Sequence, residues 1–171
     1  MPFIEQIMST VFSQEQHLSS SYAYSEAEQE AIWLLEDKIA ARFIFAMGIF
    51  QGDTFVGWHI GNQFKADTFE MTSTGILQEH RRRGLYTALI SIALAHARSA
   101  GFQVVSSRHN MTNNAVIIPK LKAGFVIGGL EVSDRFGTLV KLSYYFNPLH
   151  RKMIDVRVGQ RKLDDETRKF F

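Results

Sequence analysis

The 171-residue chain contains no cysteine. That single absence removes disulfides, thiolate zinc sites and a cysteine nucleophile, so any covalent mechanism would need another residue type. Long apolar runs are missing too: stretches such as "AVII" and "LISIALA" are far too short to cross a bilayer. The N-terminal "MPFIEQIMSTVF" carries an acidic residue early and no basic region, unlike a secretory signal, and a cytoplasmic location is expected. Charge is nearly balanced at +2, too little by itself to argue for nucleic acid. Neither a P-loop Gly-Lys-Ser/Thr nor a Gly-x-Gly-x-x-Gly fingerprint occurs at the glycine-containing turn discussed below, and no internal repeat is present.

What is present suits one compact domain. Hydrophobic residues make up 46% and charged residues 21%, which excludes disorder as the dominant state. In "PFIEQIMSTVF" the apolar residues Phe3, Ile4, Ile7, Met8, Val11 and Phe12 follow helical spacing, with Pro2 in the first turn. A Ser-rich break precedes "SEAEQEAIWLLEDKIAA", where Ser25 and Glu28 have capping-box spacing. From Arg42 the pattern turns to β: "RFIFAMGIF", "TFVGWHIGNQF" and "TFEMTSTGIL" read as three consecutive antiparallel strands, the first two joined at "QGD". "GLYTALISIALAHARSAG" is an amphipathic helix ended by Gly101, and "FQVVSSRH" is a strand. "TNNAVIIPKLKAG" is a short helix interrupted or started by Pro119, and "FVIGGLEV" with "GTLVKLSYYF" forms a last hairpin at "SDRFG". The tail from Pro148 is polar and without an assigned element. One strand–helix–strand crossover in an otherwise antiparallel sheet makes the class α/β, or α+β.

Residues 81–90, "RRRGLYTALI", are the densest chemical signal. The first N–H groups of a helix lack intrahelical partners and carry the positive end of its dipole, so a turn that presents them makes an anion site. Gly84 permits close backbone approach, and Arg82 and Arg83 add forked donors suited to phosphate oxygens. A solvated basic turn ahead of a helix has the same composition. So does a nucleic-acid module, for which the arginines, the basic tail "HRKMIDVRVGQRK" and the aromatics Phe64 and Phe136 speak, while the acidic residues 164–166 speak against it.

In wider context the chain resembles the GNAT superfamily of acetyl-CoA-dependent N-acetyltransferases. Members carry Q/R-x-x-G-x-G/A between their fourth strand and third helix, then an Asn, an apolar position three residues on, and a closing Gly-Phe. Arg81 and Gly84 match the first motif; Asn113, Val116 and Gly124-Phe125 match the second, and the likeness spans residues 42 to 147. Two positions depart from it: Tyr86 stands where Gly or Ala is usual, and Lys120 stands where many members carry a tyrosine that protonates the leaving thiolate.

The resemblance implies a GNAT-like domain over residues 1–147, with 1–41 as a helical part of the acceptor side and 148–171 as a polar tail. Its sheet would be mixed and mostly antiparallel, of about six or seven strands with flanking helices, splayed between the fourth and fifth family strands. Acetyl-CoA would be the acyl donor, with no metal. Its pantetheine would lie along the backbone of Ile76 and Leu77 and its pyrophosphate on Arg82, Arg83, Gly84, Leu85, Tyr86 and Thr87, with Asn113 contributing. The Leu77 N–H would stabilise the oxyanion. Glu70 and His109 are the candidate bases for the amine proton, Glu70 by its strand and His109 by its place at the end of the next strand. Absence of cysteine favours direct attack over an acyl-enzyme. The acceptor is a small-molecule or peptide amine; a CoA-binding domain without catalysis and a homodimeric assembly stay open.

Overall fold

The computed structural model describes residues 25–36 and 42–169. The helix expected over residues 3–12 lies outside the described residues. The helix expected from Ser25 is α1 (Glu26–Glu36). Its capping box forms as the spacing requires: Ser25 N–H donates to the Glu28 carboxylate at 2.8 Å, and Glu28 N–H returns to Ser25 Oγ at 3.4 Å.

Strands β1 (Ile44–Gln51), β2 (Thr54–Lys65) and β3 (Thr68–Ile76) form an antiparallel meander. The first hairpin turns at Gly52, whose φ of +58° suits a residue without a side chain. Helix α2 (Leu85–Ser99) then leads to β4 (Val104–Asn110), helix α3 (Asn114–Lys122), β5 (Val126–Ser133) and β6 (Gly137–Tyr145). Six strands lie in the order β1-β2-β3-β4-β6-β5, with β3 and β4 as the parallel pair. The expected mixed, mostly antiparallel sheet is what forms.

Helices α2 and α3 end in the same hydrogen-bond pattern. Gly101, at φ +90°, donates to Arg98 O, and Phe102 donates to Ala97 O; Gly124, at φ +99°, donates to Leu121 O, and Phe125 donates to Lys120 O. These paired bonds satisfy the last carbonyls and turn the chain straight back into the sheet. Pro119 sits inside α3, which runs through it as one helix.

The core lies on one face of the sheet. Phe69 and Met71 of β3, Val105 of β4 and Val140 and Leu142 of β6 pack beneath Leu89, Ile90, Ala93 and Ala97 of α2, with Ile117 of α3 and Phe125 closing the end. Each large side chain buried there contributes about 1.5–3 kcal/mol, which fixes both helices over the centre of the sheet.

The tail is helical where composition suggested only polarity. Asn147 caps α4 (Pro148–Arg157), accepting from Leu149 and His150 N–H at 2.9 and 3.2 Å, and Pro148 occupies the first turn. Arg151 ties α4 to the domain by donating to Gly124 O at 2.7 Å. Lys152 pairs with Asp164 at 2.6 Å and with Glu166, so the acidic residues of the tail face its own lysine on α4. Asp164 caps the last helix, α5 (Asp165–Arg168). Among the described residues no helix is long and apolar enough to cross a membrane.

Candidate functional site

Strands β3 and β4 pair only at Thr68↔Val104, Phe69↔Val105 and Glu70↔Ser106. Beyond these positions β3 follows β2 and β4 follows β6, so the two strands part and leave a V-shaped gap in mid-sheet. One cause is visible in β3. Ile60 opposes Ser73 while Gly61 opposes Met71, which leaves Thr72 as the extra residue of a bulge just past the last β3–β4 pair. A bulge bends its strand and increases local twist.

The bulge also decides which backbone groups face the gap. Leu77 N–H donates to Val56 O at 2.9 Å, on the β2 side. The expected oxyanion donor is therefore already spent within the sheet, and Leu77 is corrected. The bond that consumes it makes Ile76↔Gly57 a non-hydrogen-bonded pair, so the N–H and C=O of Ile76 point away from β2, into the gap. Register moves the gap-facing N–H back by one residue, because donors alternate along a strand.

From Ile76 the chain crosses a 3₁₀ turn (Gln78–His80) to α2. Arg81 Nε donates to Ile76 O at 2.8 Å, which pins the arginine turn to the end of β3. Arg82 then adopts φ +60° and Gly84 φ +80°. Two residues with positive φ so close turn the chain sharply into α2. Gly84 precedes α2 without any side-chain cap, and the first turn carries no acidic residue. The N–H groups of Leu85, Tyr86 and Thr87 are thus left without intrahelical acceptors beside the exposed Arg82 and Arg83. Tyr86 does not fill this turn: its ring packs inward against the core, and burial pushes its phenol pKa up. Across the gap Asn113 stands exposed at the start of α3.

Glu70 is 5% exposed and accepts both prongs of Arg108, Nε at 2.7 Å and Nη2 at 3.0 Å, while Arg108 Nη1 reaches Glu131 at 3.2 Å. Both Glu70 oxygens are taken up by one guanidinium, so in place of the free base expected at Glu70 stands a buried ion pair that bridges β3 and β4. His109 lies on the opposite, core face, with Nε2 3.1 Å from Ser107 Oγ. Burial, aided by the charge of Lys120, lowers its pKa to about 3 and holds it neutral.

Two further residues lie on that same face: His59, which carried no sequence signal of function, and Lys120, which stood out in the sequence only as a departure from the family pattern. His59 of β2 is fully buried, with Nδ1 2.9 Å from Thr74 Oγ1 and with Nε2 lacking a hydrogen-bond partner among the described residues; burial and Lys120 lower its pKa to about 4. Lys120 of α3 is 1% exposed, and its Nζ donates to Met71 Sδ at 3.4 Å. A glycine on either side of His59 is the only sequence signal of close packing there: a Cβ at Gly57 would lie 2.5 Å from Gly75 O, and one at Gly61 would lie 2.1 Å from the Phe69 ring.

The model of the acetyltransferase (GNAT) family matches residues 4–125. The chain belongs to the GNAT acetyltransferase family. Solved structures agree on the fold. A proposed acetyltransferase from Acinetobacter baylyi superposes with a TM-score of 0.60 at 20% identity, over 88% of this chain and 89% of that one. An IAA acetyltransferase from Bacillus cereus superposes at 0.55 with 14% identity, over 71% and 85%. A Bacillus subtilis acetyltransferase solved in complex with CoA gives 0.55 at 12% identity, over 69% and 86%. No curated protein matches by sequence. Within this GNAT fold a cavity of about 330 Å³ lies away from the gap, between the end of α3, β5 and α4, lined by Phe125, Ile127, Arg151 and Ile154 among others. Among the described residues no unpaired buried polar group lies there, and the gap is the better candidate because the uncapped amides at the start of α2 follow it directly.

Proposed function

We propose that this GNAT member transfers an acetyl group from acetyl-CoA to a primary amine by direct attack at the gap between β3 and β4. The observation that carries the reading is the bare N-terminus of α2, with its two left-handed residues and exposed arginines, placed directly after the strand that parts from its neighbour. Such a site fits a pyrophosphate: it offers unpaired N–H donors, a first helical turn without an acidic residue, and open space at Gly84, where a Cβ would meet nothing within 4 Å.

In this reading Arg82, Arg83 and the amides of Gly84, Leu85, Tyr86 and Thr87 hold the pyrophosphate, and Asn113 borders the site from α3. The backbone of Ile76 receives the pantetheine or stabilises the oxyanion that develops as the amine adds to the thioester. Acetyl-CoA supplies an activated acyl carbon; the protein supplies alignment, which can account for much of the rate. With Glu70 occupied by Arg108 and His109 held neutral at low pKa, the amine proton leaves to water after attack, when the nitrogen has become acidic. The domain over residues 1–147, with α4 and α5 docked behind it, is the unit proposed to act.

Two measurements test this. Acetyl-CoA should raise the melting temperature by binding the folded state, and CoA release should follow when a panel of primary amines is offered. No thermal shift at millimolar acetyl-CoA would refute the binding site; binding without CoA release to any amine would refute catalysis and leave a CoA-binding domain.

A further inference from the structure

Lys120 has unusual company for an ammonium. Its Nζ meets the Met71 thioether at 3.4 Å and lies 5.0 Å from the Phe125 ring centroid, and it forms no ion pair among the described residues. Glu70 is the carboxylate whose charge reaches it, but both Glu70 oxygens already hold Arg108. A desolvated, apolar setting of this kind favours the neutral amine, and a neutral lysine is a nucleophile. Its place matters as much as its state. Met71 is the first residue of β3 beyond the last β3–β4 pair, so the nitrogen stands at the apex of the gap.

We propose that Lys120 is an internal acetyl acceptor: when no amine substrate fills the gap, bound acetyl-CoA acetylates the chain at Lys120 Nζ, which stands unpaired where β3 and β4 part. The inference rests on acetyl-CoA occupying that gap. The neutral Nζ bonds to the acyl carbon, the carbon–sulfur bond breaks, and its electron pair leaves on sulfur. Nitrogen gives its surplus proton to solvent and the thiolate takes one from solvent, so the products are CoA thiol and Nε-acetyl-lysine. An amide does not hand its acetyl group to a second amine. The step is a self-modification rather than a stage of turnover, and it replaces a cation that is costly to bury by a neutral group.

The surroundings suit such a step. Burial lowers the Lys120 pKa to about 7, opposed by Glu70 from β3, while His59 from β2 and His109 from β4 are held neutral beside it. Near pH 7 about half of the Lys120 amine is therefore unprotonated, against less than about one part in a thousand for an ordinary lysine. Lys122 on the same helix and Lys162 in the tail are exposed and provide the internal reference.

The test uses the full chain, acetyl-CoA carrying a deuterated acetyl group, and no amine. After incubation at pH 7, peptide mass mapping should find the label on Lys120 at least about 100-fold ahead of Lys122 and Lys162. Excess CoA, competing for the same gap, should suppress that label, and the chain unfolded in urea should lose the preference. The initial rate of labelling at Lys120 should rise with a midpoint near 7 rather than near the ordinary lysine value of about 10.4. Lys120→Met should keep its intact mass over the time in which wild type gains one acetyl group; the mapping in wild type decides the matter even if that variant does not fold. Label on exposed lysines alone, or no label on a chain that binds acetyl-CoA, overturns the proposal, as does labelling that excess CoA leaves unchanged. Failure of wild type to bind acetyl-CoA would instead overturn the proposed function itself.

Discussion

Gly84 allows strain and function to be separated in one series of variants. At φ +80° an L-residue pays about 1–2 kcal/mol, because Cβ crowds the following carbonyl. Nothing lies within 4 Å of a Cβ built there, so Gly84→Ala adds no clash and the cost is conformational alone. For a chain of this length each kcal/mol lowers Tm by about 2–4 °C, and Gly84→Ala should melt about 2–8 °C below wild type. Gly101 is the internal control: it sits at φ +90° at the far end of the same helix, also with open space around it. Gly101→Ala should cost a similar amount, yet leave acetyl-CoA affinity unchanged, whereas Gly84→Ala should weaken binding about tenfold as the turn relaxes and its amides swing away. Asn, which tolerates the left-handed region, should fall between Gly and Ala at position 84. Calorimetric titration with acetyl-CoA and thermal melts of the four proteins provide the data. Equal affinity for wild type and Gly84→Ala, or equal losses at positions 84 and 101, would refute the claim that the left-handed turn shapes the binding site.

Other consequences are as direct. Arg108→Leu leaves the buried Glu70 carboxylate without its fork and should destabilise by about 2–4 kcal/mol in denaturant titrations, while Glu70→Gln/Arg108→Leu together should cost less than the single change. Stability should rise with pH from about 3 to 6.5, because His59 and His109 have folded pKa values of about 4 and 3, below their unfolded value, and the unfolded chain binds the extra protons in that window. A second rise, between about 7 and 10.5, belongs to Lys120, whose folded pKa is lowered in the same sense; Lys120→Met should flatten that segment of the denaturation profile and shrink the acidic one, because the Lys120 charge helps hold both histidines low. Arg151→Ala removes both the bond to Gly124 O and the pair with Asp155 at 2.9 Å, and should lower stability by about 1–2 kcal/mol in thermal melts.

Local chemistry was legible in the sequence, and long-range pairing was not. The capping box at Ser25, the stop at Gly101 and the three aromatic-rich strands each depend on neighbours a few residues away, and each formed as read. Asn147-Pro148 was an equally local signal for α4; it was overlooked because the polar composition of the tail outweighed its cap. Leu77 was misassigned because the side on which its N–H lies depends on register with β2, and one bulged residue at Thr72 shifts that register. Glu70 looked like a base because its partner, Arg108, stands 38 residues along the chain. The position of Lys120 was visible as a departure from the family pattern, whereas its burial and its place at the apex of the gap needed the fold.

The central claim is that acetyl-CoA occupies the gap between β3 and β4 and the N-terminus of α2. Amide resonances of the full chain, followed while CoA is added, test it residue by residue. The account predicts saturating shifts concentrated at Ile76, at residues 82–87 and at Asn113. Shifts centred instead on Phe125, Ile127 and Arg151, around the cavity against α4, or no shifts at all at millimolar CoA, would contradict it.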